Sequence, residues 1–171
     1  MKDKNTIKIM YNHSPCGEMI LGSFNGNLCL CDWADGRRRA SVDQRLQRIL
    51  NAEYVEGSSE VIEMARQQLD EYFLSKRHEF DITILFVGTD FQKKVWNELL
   101  KIPYGTTVSY GELSRRIGMP NAVRAVANAN AVNAISIIAP CHRVIGSNGS
   151  LTGYGGGLDR KRFLLDLEKN Y

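Results

Sequence analysis

Residues 133–146 read Asn-Ala-Ile-Ser-Ile-Ile-Ala-Pro-Cys-His-Arg-Val-Ile-Gly, and the architecture of the second half of the chain is organised around them. The apolar run at residues 134–139 is typical of a buried strand. Pro140 cannot donate a ladder hydrogen bond, so we expect the strand to end there. Cys141 then lies where the chain leaves regular structure, a place where a rigid element often holds reactive groups.

The pair Cys141-His142 is a candidate for chemistry. A histidine beside a cysteine indicates a thiolate nucleophile, because the thiolate is the form that attacks. Adjacent residues of an extended chain point to opposite sides, so the two side chains would communicate through a water molecule or a local bend. The pair alone is also typical of a buried cysteine followed by a surface histidine.

Two short helices precede this stretch. Ser109 and Glu112 have the S-x-x-E spacing of a capping box, and they predict a helix that continues through Ile117. A turn at residues 118–120 separates it from a second helix at about residues 121–131. Helix, short glycine-containing turn and helix is the spacing of a helix-turn-helix, although most such pairs only pack together.

The second helix is rich in alanine and carries one charge, Arg124. One interpretation is a buried helix that packs closely against its neighbours. The other is a helix whose smooth face presses against a nucleic acid groove, with one long cationic side chain projecting from it.

The first half predicts a small antiparallel sheet with helices. Strands are expected at residues 7–11, 18–24 and 28–33, because glycine turns separate these apolar segments. Helices are expected from a cap at Ser41 to about residue 50, and at about residues 59–75. Residues 81–87 are expected to form one more strand.

Composition restricts the class of protein. The chain has 171 residues, of which 43% are hydrophobic and 24% charged, which indicates a globular protein and excludes disorder. The apolar stretches are shorter than a membrane span, and the start of the chain has no apolar run typical of a signal peptide. Four cysteines without a C-x-x-C pair are interpreted as reduced thiols in a cytoplasmic protein, with no metal site.

Charge is unevenly distributed. Residues 1–80 carry 11 basic and 12 acidic side chains, whereas residues 81–171 carry 11 basic and 7 acidic ones. The second half therefore has a net charge of +4, which is compatible with a polyanionic partner.

The segment Pro140-Cys141-His142-Arg143-Val144 resembles the O6-alkylguanine-DNA alkyltransferases, also called methylated-DNA–protein-cysteine methyltransferases. The resemblance extends, in order and spacing, through most of the C-terminal half. The matching segments are residues 91–96, 102–105, 108–113, 124–126, Asn133, 140–146, 153–158 and Glu168. The N-terminal half resembles the smaller α/β domain of the family more loosely.

The resemblance implies an α/β (α+β) fold in two domains. Residues 1–86 would form a ribonuclease H-like domain with a small antiparallel sheet and helices. Residues 87–171 would form a mostly helical DNA-binding domain with a helix-turn-helix. It also implies a monomer that binds double-stranded DNA carrying O6-alkylguanine, flips the damaged base, and keeps the alkyl group on its own cysteine. No cofactor is expected, and the chain has no G-x-G-x-x-G or Walker motif for a nucleotide or methyl donor.

The resemblance also implies roles for individual residues. Cys141 would be the nucleophile, His142 the base acting through a water molecule, and Glu168 the group that supports the imidazolium. Asn133 would brace the active-site turn, and Tyr110 would donate to the ring nitrogen of the departing guanine.

Other residues would contact the DNA or the flipped base. Arg124 would fill the gap that the base leaves in the stack, because its planar guanidinium suits stacking. The Val144 carbonyl would accept from the exocyclic amine of the base, and the Gly155 amide would donate to O6. The remaining candidates, on the alanine-rich helix and in the glycine-rich loop, are Ala125, Ala127, Asn128 and Ser147.

Two other functions are weighed against this one. Non-catalytic recognition proteins of the same family bind alkylated bases but lack the acceptor cysteine, and Cys141 argues against that class. An unrelated cysteine hydrolase would not explain the alanine-rich helix with Arg124. The resemblance also admits O4-alkylthymine as a second substrate.

Overall fold

The computed structural model describes residues 4–169, and its first part is a four-stranded sheet. The strands are β1 (Asn5–Ser14), β2 (Gly17–Phe24), β3 (Asn27–Trp33) and β4 (Ala52–Glu56), in the order β3-β2-β1-β4. The hairpins β1–β2 and β2–β3 are antiparallel, which confirms the three predicted strands. β4 was not predicted, and it pairs parallel to β1, so the sheet is mixed.

Two helices accompany this sheet. α2 (Glu60–Phe73) begins where predicted, because the Ser59 side chain accepts a hydrogen bond from the Ile62 amide at 3.3 Å. α1 (Arg39–Leu50) begins before Ser41, which therefore lies inside the helix, and the predicted Ser41 cap is wrong.

The strand predicted at residues 81–87 is also wrong. This segment makes one parallel bridge, between Ile84 and Leu28, and its side chains pack against the core. The apolar composition of the segment therefore reflects burial and not membership of the sheet.

The second part is mostly helical. α3 (Asp90–Leu99) starts with a capping box between Thr89 and Gln92. The Ser109 side chain caps α4 (Tyr110–Arg116), as predicted, but the predicted capping box is incomplete because the Glu112 carboxylate pairs with Arg115 and Arg116. A turn then leads into α5 (Val123–Ala131). α6 (Leu158–Lys169) ends the described chain, and the short strands β5 (Val108–Ser109) and β6 (Val144–Ile145) pair in parallel between the helices.

The largest apolar core takes side chains from both parts of the chain. Met19, Leu21 and Leu28 of the sheet belong to the same buried cluster as Trp96 of α3 and Val126 of α5. Cys141 belongs to this cluster as well, so the candidate nucleophile lies where the sheet meets the helices. No helix among residues 4–169 is long and apolar enough to cross a membrane.

Candidate active site

Residues 134–139 form a compact turn, and the buried strand predicted there is wrong. Only Ile135 pairs with the sheet, through a single bridge to Cys31. The Asn133 side chain holds the turn together: its amide nitrogen donates to the carbonyls of Ile135 at 3.2 Å and Ala139 at 2.9 Å, and its oxygen accepts from the Ile135 amide. Asn133 therefore braces the segment that leads to Cys141.

Cys141 begins a single 3₁₀ turn that ends at Arg143. Its side chain is almost completely buried, and burial raises the pKa of the thiol to about 11, against the opposing effects of Asn133 and Lys161. The resting group is therefore a neutral thiol. A base has to remove its proton before or during attack.

His142 is the base candidate and is fully buried. Its Nε2 lies 2.6 Å from Oε2 of Glu168, so the carboxylate fixes the proton on Nε2 and leaves Nδ1 as an acceptor. Nδ1 has no hydrogen-bond partner among the described residues. Burial lowers the pKa of His142 more than Glu168 raises it, so the imidazole is neutral at neutral pH and can accept a proton.

Glu168 is the centre of a buried polar cluster. Besides His142, its two oxygens accept from Arg143 at 2.8 and 3.0 Å, from the Tyr72 hydroxyl at 2.6 Å and from the Gly105 amide at 3.1 Å. Burial alone would raise the pKa of Glu168, but His142 and Arg143 outweigh it and hold this pKa well below its usual range. The carboxylate is therefore ionised and fixed in place.

Tyr72 and Arg143 also belong to this cluster, and neither was predicted from the sequence. Tyr72 lies on the buried face of α2, where its spacing indicates packing only. Arg143 is part of the quoted motif, but nothing local shows that its guanidinium turns inward to the Ile102 carbonyl at 2.6 Å.

Lys161 was also missed, and it is fully buried. Its ammonium donates to the carbonyls of Val144 at 2.6 Å and Thr152 at 2.7 Å. Burial lowers the pKa of Lys161 to about 8. A signal was present in the sequence, because Lys161, Leu164 and Glu168 share one face of α6 and two of the three are charged.

Tyr110 is buried at the start of α4, and its hydroxyl donates to the Thr152 carbonyl at 2.8 Å. The Lys161 ammonium lies 3.5 Å from the same hydroxyl. Burial raises the pKa of Tyr110, so the phenol keeps its proton at neutral pH and can donate it. Lys161 and Tyr110 together connect the loop at Thr152 with Val144, where the sequence analysis expects the base.

A small cavity of about 10 Å³ lies beside Cys141, enough for about one water molecule. Its walls come from both parts of the chain: Asp32, Gly36, Arg38, Asn130, Ala131, Asn133, Ser136, Cys141, Tyr154, Gly155 and Gly156. The Gly155 carbonyl accepts from the Arg37 amide at 3.0 Å, and the Tyr154 hydroxyl accepts from the Trp33 indole at 3.0 Å. The glycine-rich loop is therefore closed over the cavity, and any larger ligand has to displace it.

The outer face of α5 is exposed. Arg124, Ala125 and Asn128 lie on the surface, and Ala127 is half-buried beside them. Ser147 is also exposed, in the loop after β6, whereas Val144 is fully buried and offers only its carbonyl. The alanine-rich helix is thus buried along one side and exposed along the other. The buried side agrees with the packing interpretation, and contact of the exposed side with a nucleic acid stays a prediction.

These features define a class: proteins with a buried cysteine nucleophile, a neutral histidine beside it and an ionised carboxylate behind the histidine. Among residues 4–169, no group of three or more histidine, cysteine, aspartate and glutamate side chains is arranged to hold a metal ion.

Comparison with known proteins narrows this class to one family. Residues 90–170 match the family described as 6-O-methylguanine DNA methyltransferase, DNA binding domain. A Methanosarcina barkeri protein named methylated-DNA–protein-cysteine methyltransferase is 46% identical over 157 residues, which are 92% of this chain and 94% of that protein. A Mycobacterium bovis protein of the same name is 58% identical over 106 residues, or 62% of this chain and 64% of the relative, just under two thirds of its length. The chain belongs to the methylated-DNA–protein-cysteine methyltransferase family.

Solved structures agree with this assignment. Mycobacterium tuberculosis OGT in complex with DNA has a TM-score of 0.80 and 42% identity, covering 96% of this chain and 92% of that chain. The O6-methylguanine-DNA methyltransferase of Pyrococcus kodakaraensis has a TM-score of 0.68 at 22% identity, covering 95% and 98%, which shows a shared fold. The predicted mixed α/β fold with a small sheet and helices is confirmed.

Proposed function

We propose that this protein repairs DNA by direct reversal, moving the alkyl group of O6-alkylguanine in duplex DNA onto its own Cys141. The observation that carries the proposal is that Cys141, His142 and Glu168 are all buried. Cys141 is a neutral thiol, His142 a neutral imidazole and Glu168 an ionised carboxylate. Family membership supports it, and the DNA complex of the M. tuberculosis relative supports DNA as the partner.

In the proposed reaction the Cys141 Sγ–C bond forms while the C–O6 bond of guanine breaks. The thiol proton passes through a water molecule to His142 Nδ1, the acceptor that has no protein partner among the described residues. Glu168 stabilises the resulting imidazolium through Nε2. O6 becomes a carbonyl oxygen, and Tyr110 donates its proton to the ring nitrogen. His142 then passes the proton that it took from the thiol to Tyr110, so the phenol is protonated again.

Base flipping is part of the proposal, because a buried thiolate cannot reach a stacked base. The closed loop over the cavity then has to move, breaking the contacts of Gly155 with Arg37 and of Tyr110 with Thr152. In the open state the Val144 carbonyl and the Gly155 amide are proposed to bind the base. The exposed face of α5, with Arg124, Ala125, Ala127 and Asn128, is proposed to contact the minor groove, and Ser147 the DNA beside it.

Several further properties are part of the same proposal. The thioether on Cys141 has no route back, so one protein repairs one lesion. A cytoplasmic location is part of the proposal as well. The division into residues 1–86 and 87–171 and the monomeric state stay predictions.

The test is to measure restored guanine in a duplex that carries one O6-methylguanine, at several ratios of protein to lesion. We expect repair to stop at one lesion per protein, to be absent in Cys141→Ser and to be normal in Cys29→Ser, a matched change at another buried cysteine. Lesion binding without repair by the wild-type protein would instead indicate a recognition protein. Repair of many lesions per protein would contradict a suicide mechanism.

A further inference from the structure

The end of β3 lies directly against the turn that carries Cys141. The Cys31 amide donates to the Ala134 carbonyl at 2.8 Å, and the Ser136 amide donates to the Cys31 carbonyl at 2.6 Å. Residues 134–136 therefore pair with β3 at Cys31 by two backbone hydrogen bonds. The N-terminal sheet thus supports the segment that leads to Cys141.

Asp32 adds a side-chain link to this backbone pairing. It is 7% exposed, and its Oδ1 accepts from the Trp33 amide at 2.8 Å and from the Ser136 hydroxyl at 3.2 Å. Its Oδ2 faces Arg39 at 3.4 Å. Burial raises the pKa of Asp32 to about 6, so the group is ionised at pH 8. A buried carboxylate is costly to keep unless its hydrogen bonds matter to the fold or to the site.

The turn itself needs to be held. Ile137 has a φ of 70°, a left-handed conformation that a β-branched side chain rarely adopts. Such a conformation costs free energy and persists only when its surroundings fix it. Asn133 holds the turn from inside, and the Asp32–Ser136 hydrogen bond holds it from the sheet. Asp32, Ser136 and Cys141 also line the same small cavity.

We propose that Asp32 is a positioning residue for the reaction: through Ser136 it holds the turn at residues 133–139 so that Cys141 points at the alkyl carbon. This inference rests on the proposed function. It gives the N-terminal sheet a direct part in the chemistry, because the side chain that orients the nucleophile segment comes from β3.

The test compares four variants in a single-turnover transfer assay at pH 8 with a saturating O6-methylguanine duplex. Asp32→Ala and Ser136→Ala each break the link, and we expect transfer to slow by about 10- to 100-fold, the cost of a small misplacement of a reacting group. Asp32→Asn keeps an oxygen that can accept both hydrogen bonds. It loses the ion pair with Arg39, but Arg39 keeps Asp43 as its counter-charge, so Asp32→Asn should restore most of the rate. Asp35→Asn changes an exposed carboxylate just after β3 and should react like the wild type.

The duplex dissociation constant is measured in parallel, since a positioning role predicts slower transfer with unchanged binding. Ser136→Ala removes a single hydroxyl group, so it keeps the test valid if Asp32→Ala does not fold. If the wild-type protein transfers the alkyl group and Ser136→Ala does so at the same rate, this inference is overturned and the proposed function is not. An Asp32→Asn rate as slow as that of Asp32→Ala, or a loss of duplex binding that matches the loss of rate, would overturn it as well. No transfer by the wild-type protein would overturn the proposed function and this inference with it.

Discussion

Replacing Glu168 with glutamine should destabilise the fold strongly, although the two side chains have almost the same shape. Glu168 accepts hydrogen bonds from His142, Arg143, Tyr72 and the Gly105 amide, all at 2.6–3.1 Å. Glutamine replaces one of the two acceptor oxygens with a donor, which then faces other donors. It also leaves the Arg143 guanidinium, 5% exposed, buried without its counter-charge.

Breaking a buried ion pair by removing one partner costs about 3–5 kcal/mol, and we expect the free energy of unfolding to fall by about that amount. For a chain of this size the loss corresponds to a decrease in Tm of about 6–20 °C. The measurement is urea and thermal unfolding of the wild type and Glu168→Gln at pH 7.5. Glu112→Gln is the matched control, because the Glu112 side chain is 40% exposed and forms its ion pairs among residues 4–169 with Arg115 and Arg116 on the surface of α4.

The difference in unfolding free energy between the wild type and Glu168→Gln should depend on pH. Glu168 has a pKa in the folded protein well below its usual range, because His142 and Arg143 outweigh the effect of burial. Such a carboxylate stabilises the fold fully above its unfolded pKa, about 4.3, and this contribution is lost as the pH falls further. The difference between the wild type and Glu168→Gln should therefore be constant near neutral pH and shrink below about pH 4.3. Equal stabilities of Glu168→Gln and Glu112→Gln at pH 7.5 would refute the reasoning.

Three further variants test the site. His142→Gln should slow transfer by about 10²- to 10⁴-fold, because the base is lost, while duplex binding measured by anisotropy stays unchanged. Tyr110→Phe should slow single-turnover transfer by about 100-fold, the cost of removing one donor to a leaving group, and an unchanged rate would exclude Tyr110 as the proton donor. Lys161→Met should speed amide hydrogen exchange in residues 146–157, because the Lys161 ammonium no longer joins the carbonyls of Val144 and Thr152. Lys101→Met, at an exposed position, should leave the exchange rates unchanged.

Local signals in the sequence predicted the elements whose causes are local. Ser59 and Ser109 cap their helices as expected, because a cap depends on residues within one turn. The three strands of the hairpins were predicted from alternating apolar segments and glycine turns. Ser41 is not a cap because α1 begins at Arg39, two residues earlier, and its N-cap residue Arg38 makes no side-chain capping hydrogen bond.

Features set by distant contacts were not predictable from composition. The apolar run at residues 134–139 is a turn, because the Asn133 side chain and β3 take the backbone hydrogen bonds that a neighbouring strand would take. The apolar side chains at residue 82 and residues 84–87 pack against the core, and all but Val87 are only half-buried.

The candidate site shows the same division. The family motif pointed to Cys141, His142, Asn133 and Glu168, and all four side chains are buried, while their roles in the reaction stay predictions. Tyr72 was missed because α2 meets the motif only in three dimensions. Lys161 was missed although it shares one face of α6 with Leu164 and Glu168.

The most direct measurement is peptide mass analysis after incubation with a duplex carrying O6-methylguanine. Trypsin separates the cysteines, because residues 125–143 contain only Cys141 and residues 9–37 contain Cys16, Cys29 and Cys31. The account predicts that the peptide 125–143 gains the mass of one CH₂ group, up to one per protein, and that the peptide 9–37 stays unmodified. A modified 9–37 peptide, or unmodified protein after complete binding to the lesion, would contradict Cys141 as the alkyl acceptor.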